Sequence, residues 1–520
     1  MLTEKKISIG AITVSLFILI VTFLSPCKNV PFYTFLVVMK EMYTAVDLIL
    51  CSAVDAAIAA LICTSFFNPQ SMGIGGGQSL LIISPLFKGK VTTINSRETV
   101  PRNVKSDLLD LCPDEASKTS TGKWIGVPGE LRGYVEAHRR FGKLSWAELF
   151  KGTLELVKDG ILIFSFCVSC RKLYSDKNGM LLKTNDIVKF EKLIETLKII
   201  ADKGADAFYN GAIANNLVRD INEAGGNITE EDLKEYKVSV TDAWVVPLGE
   251  YQMYIPPPPA GGITLSFVLN VLKGSWCENK TLTYHRYIES LKYANGLKKD
   301  IRDPKFMSTE RAKTFITDSF ADDIRSFIGD ESQYYHKPPY MDSVGTSHVS
   351  VVTKDGSAVS VTSTINYVFG SRILSPSTGV ILNNQLADFC QRFVLLFSGE
   401  QPPSSMAPIV LKSKSKLLVI GGSGRLQRIV LFLFQALMNH LWFGKSLKEA
   451  IDAPVVFVNS SNTVEFENGF DKDVIKALKA LGHKQKAQGT YYSVVNAVEL
   501  ENGCIIAESD KRKKGKAAGF

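Results

Sequence analysis

The chain has 520 residues, 45% apolar and 22% charged, with a formal net charge of +8. This composition excludes a disordered polymer and supplies enough apolar side chains for a large core. The positive excess is dilute except at Lys511 to Lys516, which reads as a solvated tail rather than a nucleic-acid-binding surface.

Taken in order, the chain begins with an uncharged, mostly apolar run from Ile7 to Leu24, preceded by Lys5 and Lys6. A helix crossing a bilayer needs about 17–25 residues, and this run reaches the lower end of that range. Positive charge at its start favours a cytosolic N-terminus. A cleaved signal peptide and a buried terminal helix are the competing readings. The run is long for the first, and no A-x-A-like site precedes Pro26. The expectation is a cytosolic tail (1–6), a transmembrane signal anchor (7–24) and a type II single-pass protein with its bulk outside the cell. Outward placement gives meaning to three glycosylation sequons, at Asn227, Asn279 and Asn459.

Asp47 to Cys63 reads as a buried helix. The following Ser71-Met72-Gly73-Ile74-Gly75-Gly76-Gly77-Gln78 is not a dinucleotide fingerprint, because Gln78 stands at the last glycine. A phosphate-loop pattern fails at Gly444-Lys445-Ser446, because Asn439 stands at the first glycine. Tight packing of a helix on the strand Leu80 to Ile83 explains the glycines better. Arg97 follows a strand from Val91 to Asn95, and its fork can clamp a carboxylate in two bonds. Trp146 to Glu235 is mainly helical, with Phe150, Leu154, Val157 and Ile161 at helical spacing. Pro256 to Pro259 and Gly261-Gly262 form a stiff loop between a strand and a helix. Thr283 to Leu297 is a further helix, and Ser332 to Asp342 is a loop.

Strands dominate from Thr346 to about Leu382 and recur at Val464 to Phe466 and Val494 to Leu500. Helices are expected at Gln427 to Trp442, Ser446 to Ala453 and Asp471 to Leu481. Helices flanking paired strand blocks indicate a layered α+β protein. Nine cysteines include Cys167 and Cys170 in CxxC spacing, but no second pair completes a zinc site. A local disulfide there is the expectation for an extracellular chain.

Thr346 heads a strand directly after Gly345. A threonine so placed can become a nucleophile by chain cleavage. Its hydroxyl attacks the preceding carbonyl, and the freed α-amine, with a pKa of about 7.7–8.0, then serves as the local base. The plainer alternative is a β-branched residue starting a strand.

The longer strings TSHVSVVTKDGSAVSVTSTINYVFGS and STGVILNNQLADF resemble the γ-glutamyltransferases, which are N-terminal-nucleophile hydrolases. SAVDAAIAAL, SMGIGGG, NSRETVPR, VPGELRGY, DAFYNG, TYHRYIE, SSMAP and SDKRKKGKAAGF extend the resemblance over roughly everything after residue 40. It implies a four-layer αββα sandwich, with 25–345 as large subunit and 346–520 as small subunit of one catalytic domain. It also implies a tight disulfide in the large subunit and no metal or organic cofactor. The implied substrates are glutathione, its S-conjugates and other γ-glutamyl compounds, with water, amino acids or dipeptides as acceptors.

By the same resemblance, Thr346 is the nucleophile and Thr364 its hydrogen-bonding partner. Arg97, Ser404 and Ser405 hold the substrate α-carboxylate. Asn366, Gln385 and Asp388 hold the α-amino group, and Gly424 supplies an oxyanion-hole amide. His348 shares a strand face with Thr346 and is assigned a structural role. Three departures stand out. Gln385 replaces a common glutamate, Arg425 replaces the second of two adjacent glycines, and the connection Phe389 to Pro403 is short. Arginine resists φ > 0, which glycine accepts. These departures define a second reading, a membrane-tethered homologue with weak or no activity and an interaction role.

Overall fold

The computed structural model describes residues 51–520 apart from 86–88, 113–120, 163–173, 176–177, 184–185, 275–278, 333–344, 391–394, 425, 460, 487–492, 514 and 519–520. The expected anchor at 7–24, the Cys167–Cys170 pair, most of the loop before Gly345 and Arg425 therefore lie outside the described residues. Among the described residues, no helix is long and apolar enough to cross a membrane.

Eleven strands build the two main sheets: β1 (Gly77–Ile83), β2 (Val91–Ser96), β3 (Ser239–Asp242), β4 (Trp244–Leu248), β5 (Tyr251–Ile255), β6 (Thr346–Val352), β7 (Ala358–Thr364), β8 (Ile409–Lys412), β9 (Lys416–Ser423), β10 (Val494–Glu501) and β11 (Cys504–Ser509). The first sheet has the order β3-β2-β1-β7-β6, and the second β11-β10-β9-β8-β5-β4. Neighbouring strands pair antiparallel throughout. Both sheets mix strands from before and after residue 345, so the Gly345–Thr346 bond is not a domain boundary.

Side-chain alternation explains the layering. In β1, Leu80 and Ile82 enter one core with helix α1 (Ala53–Phe67) and helix α2 (Glu130–Phe141). Leu81 and Ile83 point the other way and meet Val410, Leu417 and Val419 of the second sheet. Leu418 and Ile420 then face a third layer of apolar residues with helices α3 (Gly262–Leu272), α4 (Lys280–Leu297) and α5 (Leu426–Leu437). The order is helix, sheet, sheet, helix. Truncating a seam residue such as Leu81 or Val419, both fully buried, would cost about 2–5 kcal/mol.

Local signals set the element ends. The helix expected from Asp47 starts at Ala53, because the Ser52 hydroxyl accepts from the Asp55 amide and the Asp55 carboxylate accepts from the Ser52 amide. The hairpin β6–β7 turns at Gly356, φ +80°, where Asp355 accepts from Ser357 N and from the Thr353 hydroxyl. The helix expected over Gln427–Trp442 divides into α5 and a π-helical turn, Met438–Trp442.

Candidate active site

The antiparallel order brings four strand ends together. Thr346, the first residue of β6, lies opposite Thr364, the last of β7. Gly77, the first of β1, flanks Thr364 on the other side, and Gln78 pairs with Ser96, the last of β2. Arg97 leaves β2 at that same sheet end.

Thr346 is 1% exposed. Its Oγ1 lies 3.3 Å from Thr364 Oγ1, which donates to the Gly345 carbonyl at 2.5 Å. The Asn366 amide donates to Thr364 Oγ1 at 2.9 Å, fixing that hydroxyl's orientation. Asn366 takes φ +78°, a left-handed conformation that asparagine tolerates better than most residues. Its Nδ2 donates to Asn384 O, the carbonyl before Gln385. Gln385 Nε2 donates to Asp388 Oδ2 at 2.8 Å, and Arg97 Nη2 meets the same oxygen at 2.6 Å. A continuous line of hydrogen bonds and backbone thus joins nucleophile, amide groups, carboxylate and guanidinium.

Arg97 is almost fully buried. Nε donates to Pro402 O and Nη2 to Pro403 O, immediately before Ser404 and Ser405. Buried polar atoms without a hydrogen-bond partner among the described residues include Arg97 Nη1, Asn366 Oδ1, Gln385 Oε1 and both Glu98 carboxylate oxygens, with Arg97 Nη1 3.8 Å from Glu98 Oε2. Among these, Arg97 Nη1 is a charged donor and Asn366 Oδ1 and Gln385 Oε1 are acceptors, atom types suited to a carboxylate and an ammonium. Ser404 and Ser405 border a small recess with Pro259, Thr264, Lys298 and Ile301. Ser404 Oγ accepts from Met406 N, and the Ser405 backbone presses on Gly261, where any Cβ would come within 2.7 Å of it.

Gly424 follows β9 with φ +127°, a backbone that strongly favours glycine. His348 is buried and fully engaged, with Nδ1 on Thr362 Oγ1 and Nε2 on Ser350 Oγ. Burial drives its pKa down to about 3. Its ring lies against Gly421, and Asn496 Nδ2 donates to its carbonyl, so it ties the two sheets together. Among the sequons, Asn279 is the exposed cap of α4, Asn227 Nδ2 donates to Asn103 O, and Asn459 Nδ2 donates to Glu465.

Some contributors were not singled out from sequence. Glu98, inside the RETVPR string, is fully buried beside Arg97, and burial raises its pKa to about 7 against the pull of that arginine. The short Phe389 to Pro403 connection is pinned to the other side of the cleavage point. Glu400 pairs with Arg302, Gln401 Nε2 donates to Arg97 O, and Cys390 bonds Cys112. Only spatial proximity reveals these contacts. Elsewhere, His285, Glu289 and His483 form a buried cluster with metal-ligand chemistry. The Lys292 ammonium bonds Glu289 at 2.6 Å and the two rings bond each other at 2.9 Å, so a lysine supplies the cation there.

The chain was compared with known proteins. The gamma-glutamyltranspeptidase family profile matches residues 51–520. Glutathione hydrolase 5 proenzyme of Homo sapiens is 40% identical, over 90% of this chain and 89% of its own. Scoloptoxin SSD14 of Scolopendra dehaani is 37% identical, over 90% and 88%. Among solved structures, cephalosporin acylase from Bacillus halodurans superposes with a TM-score of 0.80 at 20% identity, covering 96% of this chain and 99% of that one, which is a likeness of fold. The layered α/β architecture, the assembled site and a match over almost all of the described chain agree: this protein is a member of the gamma-glutamyltranspeptidase family.

Proposed function

We propose that the protein cleaves itself between Gly345 and Thr346 and then hydrolyses or transfers γ-glutamyl groups through an ester on Thr346. The observation that carries this reading is the Thr364 hydroxyl, donating to the Gly345 carbonyl at 2.5 Å beside Thr346 Oγ1. That hydrogen bond polarises the carbonyl which Thr346 would attack. Attack converts the amide into an ester, and water then releases Gly345 as a carboxylate. The new α-amine of Thr346, with a pKa of about 7.7–8.0, becomes the base for turnover.

In turnover, the donor's α-carboxylate would meet Arg97 Nη1 with Ser404 and Ser405, and its α-ammonium would meet Asn366 Oδ1, Gln385 Oε1 and Asp388. Two anchors on one end of the donor fix where its γ-carbonyl lies, and binding is converted into orientation. Thr346 forms the γ-glutamyl ester as the donor's amine leaves, and Gly424 N–H is assigned to the oxyanion. Water, an amino acid or a dipeptide then takes the acyl group. The names of the relatives, glutathione hydrolase proenzymes among them, support glutathione and its conjugates as donors.

The proposed location is the cell surface, with 7–24 as an uncleaved type II anchor. A disulfide between Cys112 and Cys390 fits an oxidising compartment. Full-length protein should stay in the membrane fraction with its N-terminus intact, and a secreted form beginning near Cys27 would reject the anchor. The central test is Thr346→Ala. It should abolish both the appearance of two chains and hydrolysis of a γ-glutamyl anilide. Cleavage of that variant at the same bond would overturn the mechanism.

A further inference from the structure

Cys112 follows the turn Leu108–Leu111, and Cys390 ends the turn Gln385–Phe389. Their disulfide spans 278 residues of sequence and crosses the proposed cleavage point. Cys504, at the head of β11, is also disulfide-bonded. The stretch 346–520 contains no other cysteine, so both of its sulfurs are tied to cysteines before residue 346. Resting on the autocleavage read above, we propose that the mature protein is a covalent pair, its subunits joined by disulfides, and that Cys112–Cys390 also positions the substrate-binding turn.

The positioning argument starts from Asp388 and Gln385, two and five residues before Cys390 in the sequence. The turn carrying them is a short 3-10 helix, tied at its start where Asn383 Oδ1 accepts from Gln385 N, and a turn this short holds little shape by itself. Leu386, Ala387, Phe389 and Cys390 pack on Val100, Leu108 and Trp124 of the other subunit, a small apolar cluster. Downstream, the chain is pinned again where Val100 N donates to Glu400 O and Gly399 N to Val100 O. The disulfide closes the upstream end of this span. Once the chain is cut, a covalent tie keeps the turn against its partner at a high effective concentration. Asp388 and Gln385 bind the donor rather than the reacting carbonyl, whereas Thr346 is fixed by the sheet. Losing the tie should therefore weaken donor binding more than the chemical step.

Two measurements test this. The first is electrophoresis of alkylated wild-type protein with and without dithiothreitol, which reduces each disulfide to two thiols and is itself oxidised to a cyclic disulfide. One band without reductant and two with it are expected. Two bands in both lanes would keep the cleavage and overturn the covalent pair. One band in both lanes would mean an uncut chain, overturning the cleavage and the pair together.

The second measurement compares kinetics of Cys112→Ser, Cys390→Ser and the double variant. Each should raise the donor KM by about three- to tenfold with kcat nearly unchanged. The double variant should be no worse than either single one, because all three remove one bond. Cys504→Ser should leave the KM unchanged. An unchanged KM, additive effects or a loss confined to kcat would overturn the positioning role. Should the serine variants fail to fold, partial reduction of folded wild type, with Cys390 alkylation mapped by mass spectrometry, reads the same KM shift.

Discussion

Thr364→Val isolates the step on which the proposed mechanism depends. Valine keeps the shape of threonine and removes one hydroxyl. That hydroxyl donates to the Gly345 carbonyl at 2.5 Å and accepts from Asn366 N at 2.9 Å. Loss of a donor to a carbonyl that becomes an oxyanion costs about 2.7–4 kcal/mol, or roughly 10²–10³ in rate. The stranded Asn366 amide costs a further ~1–3 kcal/mol, but in stability rather than rate. The two effects separate experimentally. Conversion of precursor to two chains, followed by gel and by mass of the new Thr346 terminus, should slow by about two to three orders of magnitude. Thermal unfolding should show a folded but weakened precursor. Thr364→Ser restores the hydroxyl and should process at close to the wild-type rate. A valine variant that cleaves within a few-fold of wild type would refute the role of Thr364 in polarising the bond.

Arg97→Lys replaces a fork with a point charge, so donor KM should rise about 10–10²-fold with kcat less affected; an unchanged KM would remove Arg97 from the carboxylate site. Glu130 is fully buried, accepts from the Tyr134 hydroxyl at 2.8 Å, and is pushed by burial to a pKa of about 8 from 4.5. The folded state then holds a proton that the unfolded state releases, so stability is highest below about pH 4.5 and falls as pH rises towards 8. Glu98, raised to about 7 by burial, acts in the same direction. Glu130→Gln should therefore flatten the decline in Tm between pH 5 and 8, and an unaltered slope would contradict this. If Arg425 distorts the oxyanion hole, Arg425→Gly should raise kcat by about 10²–10³ with KM nearly unchanged; no gain would make Arg425 a neutral replacement.

How far the sequence could be read depended on the range of each interaction. The strands at Val91, Thr346 and Ala358 were legible, because alternation and turn chemistry act within a few residues. α1 begins at Ala53, where Ser52 and Asp55 form its cap, and the part of the expected helix before residue 51 lies outside the described residues. The two-sheet seam was not legible from Leu81 or Val419 alone. Alternation says that both faces are apolar, not which one meets the other sheet. The candidate site residues were proposed from motif strings. Their connections were not, because Arg97 to Asp388 and Cys112 to Cys390 each span well over two hundred residues. Such pairs carry no local pattern, and only folding creates them.

On the proposed function, selectivity and stability meet in the buried polar atoms of the site. Arg97 Nη1, Asn366 Oδ1 and Gln385 Oε1 are buried without hydrogen-bond partners, and each such atom costs about 1–3 kcal/mol. The fold offsets that cost through the large apolar area buried in the seam and the two outer cores. On the proposed reading, a donor bearing an α-carboxylate and an α-ammonium would remove the cost at all three atoms. A donor lacking the amine leaves two acceptors desolvated and facing nothing, so discrimination comes from an unmet need rather than a steric wall. The same reasoning applies to Asp388. Its carboxylate already neutralises Arg97 at 2.6 Å, and a bound zwitterion adds one charge of each sign beside that pair. On the proposed reading, binding adds no net charge beside the buried Arg97, Asp388 and Glu98 groups, so the donor's charged end enters without an uncompensated charge.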